Sequence, residues 1–90
     1  VKKYKGRWKK GNYSGKGRSY FDNGKIEFSG SFKEGMRDGF GIWYYYDGKT
    51  RYKGHFRLNQ FHGKGTEYDP EGIVIYSGKW SMGEREQNQN

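Results

Sequence analysis

The feature that most constrains this chain is a repeat. An aromatic residue, any residue, then glycine recurs as Tyr4-Lys5-Gly6, Phe28-Ser29-Gly30, Tyr52-Lys53-Gly54 and Tyr76-Ser77-Gly78, 24 residues apart each time. Trp8, Phe32, Phe56 and Trp80 follow in the same register, then Gly11, Gly35, Asn59 and Gly83. Further along come Gly15 with Gly17, Gly39 with Gly41, Gly63 with Gly65, and then Tyr20, Tyr44 and Tyr68. A fixed period without insertions means that each unit is one supersecondary element packing on its own copies. The frame divides the chain into a leader (1–3), three full units (4–27, 28–51 and 52–75), a partial fourth (76–83) and a polar tail (84–90).

Within a unit, apolar and polar residues alternate over 3–8 and again near 15–21, which is the two-residue period of strands. A short glycine-containing turn joins them, so each unit reads as a β-hairpin. Asn59 stands where the other units have glycine, and a positive φ is expected there. Asn23-Gly24 and Asp47-Gly48 mark tight links to the next hairpin, while Glu71-Gly72 after Pro70 is expected to widen its turn. The expected fold is all-β, a single-layer antiparallel meander of consecutive hairpins. Composition agrees: the chain has 18 aromatics and 16 glycines but no alanine, and 90 residues allow one domain. With no second layer, the rings must lie over glycines of neighbouring strands, which accounts for the Gly-x-Gly pairs.

These units resemble the MORN repeat, Tyr-x-Gly-x-Trp/Phe followed by x-x-Gly, Gly-x-Gly and an aromatic before Asp/Asn-Gly. The stretches NGKIEFSGSFKEGMRDG and WYYYDGKTRYKGHF are also similar to the bacterial variant of the repeat in antitoxin-type proteins. Tyr13, Arg37 and Phe61 occupy one turn position and read as freely varied. The resemblance implies a non-enzymatic scaffold for protein contacts and assembly, with peripheral attachment to phospholipid as the alternative.

Residues 43–46 carry Trp43, Tyr44, Tyr45 and Tyr46 in a row, although neighbouring strand positions face opposite ways. Only Tyr44 matches the frame, through Tyr20 and Tyr68, and it is read as the structural ring. Trp43 and Tyr45 are then expected on the other face as an exposed pair, with Phe21 and Phe40 as neighbours. All four are candidate protein contacts, because aromatics are enriched at binding hot spots.

Charge is uneven. Residues 1–27 hold nine Lys/Arg against two acids, so most of the formal net charge of +8 is N-terminal. Lys2, Lys3, Lys5, Arg7, Lys9 and Lys10, with Lys16 and Arg18 on the adjacent strand, form an expected basic edge patch. Such lysines can serve to block edge-to-edge aggregation. They are also candidates for anionic lipid headgroups, behind that edge-protecting role.

Catalysis finds no support: His55 and His62 have no acidic or nucleophilic partner at a recognisable spacing, and HGKG lacks the Ser/Thr and helix of a phosphate loop. No catalytic, metal or cofactor residue is assigned. Nucleic acid is disfavoured because no known module appears and the repeat accounts for the aromatics. A choline- or glucan-binding aromatic module, suggested by WYYYDGKT alone, is disfavoured by the unbroken frame. No stretch approaches the roughly 18 apolar residues of a membrane span, and a soluble chain, cytoplasmic or membrane-peripheral, is expected. The half-unit at the end and the initial valine suggest completion by a parent protein, a partner or a second copy through an open edge.

Overall fold

The computed structural model describes residues 3–86, so the leader cation Lys2 lies outside the described residues. Eight strands follow one another: β1 (Lys3–Lys9), β2 (Asn12–Tyr20), β3 (Ile26–Lys33), β4 (Met36–Tyr44), β5 (Thr50–Arg57), β6 (Gln60–Tyr68), β7 (Val74–Ser81) and β8 (Glu84–Arg85). They form one open sheet in sequence order, each antiparallel to the next. Residues 84 and 85, assigned to the polar tail by sequence, form β8, which pairs with β7.

Turn chemistry sets this order. Each hairpin closes on two residues with positive φ, as in Lys10 and Gly11 (51° and 81°) or Leu58 and Asn59 (52° and 69°). Two consecutive positive φ values make the turn whose twist matches its flanking strands, and Asn tolerates this conformation where most side chains do not. The links between hairpins also share one geometry. Phe21 N donates to Lys25 O at 2.8 Å and Gly24 N to Phe21 O at 3.0 Å, and Asp69 N and Gly72 N repeat the pair at 2.8 and 2.9 Å. The third link is therefore not widened. Its Asp69 carboxylate accepts from Glu71 N and Ile73 N, taking the place of the side chains of Asn23 and Asp47 in the other links.

One row of glycines crosses the sheet, Gly6 opposite Gly17, then Gly30, Gly41, Gly54, Gly65 and Gly78. Across it lie the large rings: a Cβ built on Gly41 would overlap Phe28, and one on Gly65 would overlap Tyr52. The first glycine of each Gly-x-Gly has another role, since Gly15, Gly39 and Gly63 turn the backbone through positive φ at the irregularity of each hairpin. Phe28, Phe32, Tyr52, Phe56 and Trp80 are buried and form the core, although no second layer covers them among the described residues. Their contacts are edge-to-face rings, for example Phe28 with Phe56 at 5.1 Å and Tyr52 with Phe56 at 5.0 Å. Such pairs are worth roughly 0.5–1.5 kcal/mol each beyond burial, which helps a one-layer sheet offset its ordering cost.

Candidate functional site

The ring side of β4 is set by Gly41. Because Gly41 lies beneath Phe28, Trp43 two residues on shares that side, and Tyr44 points the other way. Trp43 is half-buried against the core cluster, 5.7 Å from Phe61. This corrects the sequence expectation of Trp43 as an exposed ring away from the core; Tyr20, Tyr44 and Tyr68 are half-buried but take no part in that cluster. Phe40 is corrected too: it stands on the back of the sheet, 5.7 Å from His55, and not beside Trp43.

Tyr45 and Tyr46 hold the links together. The Tyr45 hydroxyl donates to Tyr68 O at 2.7 Å, at the third link, and the Tyr46 hydroxyl donates to Asp22 at 2.5 Å, at the first. The bond to Asp22, with smaller contributions from burial and the negative charge, raises the Tyr46 pKa. Phe21 packs on Tyr46 at 5.1 Å, not on Trp43 or Tyr45. Three of the four consecutive aromatics therefore have structural partners on the ring side or along the rim.

Two arginines join Trp43. Arg51 is the extra residue where β5 bulges against β4, and its guanidinium lies 4.1 Å over Trp43 and 5.3 Å from Tyr45. Arg37 lies 5.1 Å from Trp43 and 5.6 Å from Phe28. In the frame Arg37 matches Tyr13 and Phe61, which stack on Tyr4 at 3.7 Å and on Tyr52 at 3.8 Å. The position read as freely varied is thus a stacking position, filled in the middle unit by a guanidinium. Burial lowers the Arg37 pKa, partly offset by the charge of Glu27, and Arg37 Nε is buried without a hydrogen-bond partner. The result is a half-open patch of two rings and two cations on the ring face of the middle unit.

On the back of the sheet the cations reach further than the N-terminal segment. Lys3 and Lys5 share that face with Lys16 and Arg18, and Lys5, Lys16 and Arg18 line one shallow depression with Ser29. Lys9 and Lys10 lie at the first turn, apart from that group, beside Asn12 and Glu34. A second depression of about 660 Å³ lies over β4–β7, lined by Phe40, Lys53, His55, Lys64, Thr66 and Lys79 among others. Sequence reasoning missed Lys53, Lys64 and Lys79. Among the described residues no group of three or more His, Asp and Glu side chains could hold a metal ion.

An open array of ring-on-glycine hairpins defines a repeat module. The MORN repeat family model matches residues 4–26, 28–50, 52–74 and 76–86, and the chain belongs to the MORN repeat family. The MORN repeat is a repeat module and not a catalytic family. No curated protein matches the chain.

Proposed function

We propose that this chain is a non-enzymatic scaffold that docks a protein partner on the ring face of its middle unit. The observation that carries this reading is the Arg51 guanidinium seated 4.1 Å over Trp43 and 5.3 Å from Tyr45 on a face that no second layer covers among the described residues. Arginine and aromatic residues dominate binding hot spots, and two guanidinium groups beside the rings favour an acidic segment on the partner. The test is affinity capture with the parent chain, Arg51→Ala and the back-face control Lys79→Gln. A partner retained by the control and lost with Arg51→Ala supports the reading. Recovery that is indifferent to Arg51 overturns it.

Attachment to anionic phospholipid is a second reading, favoured by Lys3, Lys5, Lys16 and Arg18 lying together behind β1 and β2. Each basic residue near such a surface contributes roughly 1 kcal/mol. Flotation with anionic and neutral vesicles, at low and physiological salt, tests it. Binding that is selective for anionic lipid and disappears when these four residues are neutralised supports it, and absence of binding removes it.

A further inference from the structure

Strand pairing aligns the back-face residues in two rows across the sheet. One runs Lys5, Arg18, Ser29, Ile42, Lys53, Thr66 and Ser77. The other holds Lys16, Ser31, Phe40, His55, Lys64 and Lys79, with Arg7 at its start against Gly15. Neither row contains an acid. At about 4.8 Å per strand step, the first row spans roughly 29 Å.

The order of chemistry along the rows is informative. Cations occupy both ends, over β1–β2 and over β5–β7. Within the two rows the centre over β3–β4 is uncharged, formed by Ser29, Ser31, Ile42 and the Phe40 ring, and Asp38 of β4 stands beside it in a depression shared with Lys33, His55, Arg57 and Lys64. Phe40 is 50% exposed and meets His55 edge-to-face at 5.7 Å. The repeat does not require this ring, because its counterparts in the frame are Lys16 and Lys64. The general objection that the fold uses all the aromatics therefore fails at Phe40.

We propose that this back face binds single-stranded nucleic acid, laid across the strands. Phosphates pair with the cations at the two ends and a base stacks on Phe40 between them. A basic track interrupted by exposed rings is the surface that single strands use without sequence preference, since every base has a face to stack. The site lies opposite the Trp43–Arg51 patch, so it stands or falls independently of the protein-docking reading. It also needs Lys53, Lys64 and Lys79, which the membrane reading does not.

The test uses the full chain with a fluorescein-labelled oligothymidylate of about 20 nucleotides, longer than the roughly 4–16 that one nucleic-acid-binding barrel covers. Anisotropy is followed over a salt series. Lys53→Gln/Lys64→Gln/Lys79→Gln should lower the log–log salt slope by about 2, at roughly 0.7 per lost contact. The charge-matched turn variant Lys10→Gln/Lys25→Gln/Lys49→Gln should leave it nearly unchanged. Phe40→Ser should weaken binding about fivefold or more at fixed salt, as expected for a lost stacking ring. Circular dichroism melts identify any variant that fails to fold, and His55→Ala then supplies a second probe of the same ring pair. Equal weakening by both triple variants, or no response to Phe40→Ser and His55→Ala, overturns the proposal. Binding to anionic vesicles but not to the oligonucleotide overturns it in favour of a lipid surface.

Discussion

The Arg37 guanidinium lies 5.6 Å from the centre of the Phe28 ring, in the place where Tyr13 stacks on Tyr4 at 3.7 Å and Phe61 on Tyr52 at 3.8 Å. A cation replaces a ring here, as Arg85 does over Tyr76 at 5.4 Å in the fourth hairpin, and Arg37 brings a buried Nε without a hydrogen-bond partner. Arg37→Tyr removes that uncompensated group and restores the stack, so the chain should gain roughly 1 kcal/mol. Urea unfolding at neutral pH measures this. If the docking reading is right, the more stable variant should also bind its partner less well, because positions kept for function are often not optimal for stability.

The ring-on-glycine contact makes Gly41 intolerant of any side chain. A Cβ there would overlap the far edge of Phe28, which is 1% exposed. Gly41→Ala should cost about 1–3 kcal/mol, the range for forced overpacking, and Gly41→Val more. The cause is separable. In a Phe28→Ala background the same Gly41→Ala change should cost far less, and a double-mutant cycle should return a coupling of about 1 kcal/mol or more. Additive losses would mean that the glycine is needed for its backbone alone.

Much of this was legible from the sequence, and the misreadings have specific causes. The uninterrupted 24-residue frame carried the hairpins, their order and the rings of the core. It did not say which face a recurring residue occupies. Recurrence marks Tyr44 as the structural ring, whereas the parity of Gly41, a bed for rings, puts Trp43 on the core side. Arg37 looked like free variation because Tyr, Arg and Phe differ in polarity, although all three are planar groups that stack on a ring. The back-face cations were hidden by counting charge along the chain: Lys53, Lys64 and Lys79 join one surface only through the strand register.

Asn59 does two jobs at one turn. Its φ of 69° is costly for most side chains, and its Oδ1 accepts from Arg37 N at 2.7 Å in the preceding hairpin. Asn59→Gly relieves the first demand and forfeits the second, so the two effects should nearly cancel, within about 0.5 kcal/mol. Asn59→Ala keeps neither the tolerance nor the bond and should lose about 2 kcal/mol. Thermal melts of the two variants beside the parent separate these cases. Equal loss in both would assign the whole effect to the hydrogen bond.

Tyr52 should contribute to the loss of the fold at high pH. Burial pushes its hydroxyl up to about 12, against a smaller opposing effect of the His55 backbone, and the hydroxyl donates to His55 O at 2.8 Å. An unfolded tyrosine ionises near pH 10, so the folded chain holds this proton more tightly than the unfolded chain does. The sign follows from linkage: the stabilisation is complete below about pH 10 and is lost as pH rises through about 12. Tyr52→Phe takes the ionisation away, and Phe28 shows that the same frame position accepts a ring without a hydroxyl. The variant should cost roughly 1 kcal/mol at neutral pH for the lost bond and should lose stability less steeply than the parent between pH 10 and 12. Denaturant midpoints at pH 8 and at about pH 11 measure both effects. Parallel losses in parent and variant would show that another group governs the alkaline transition.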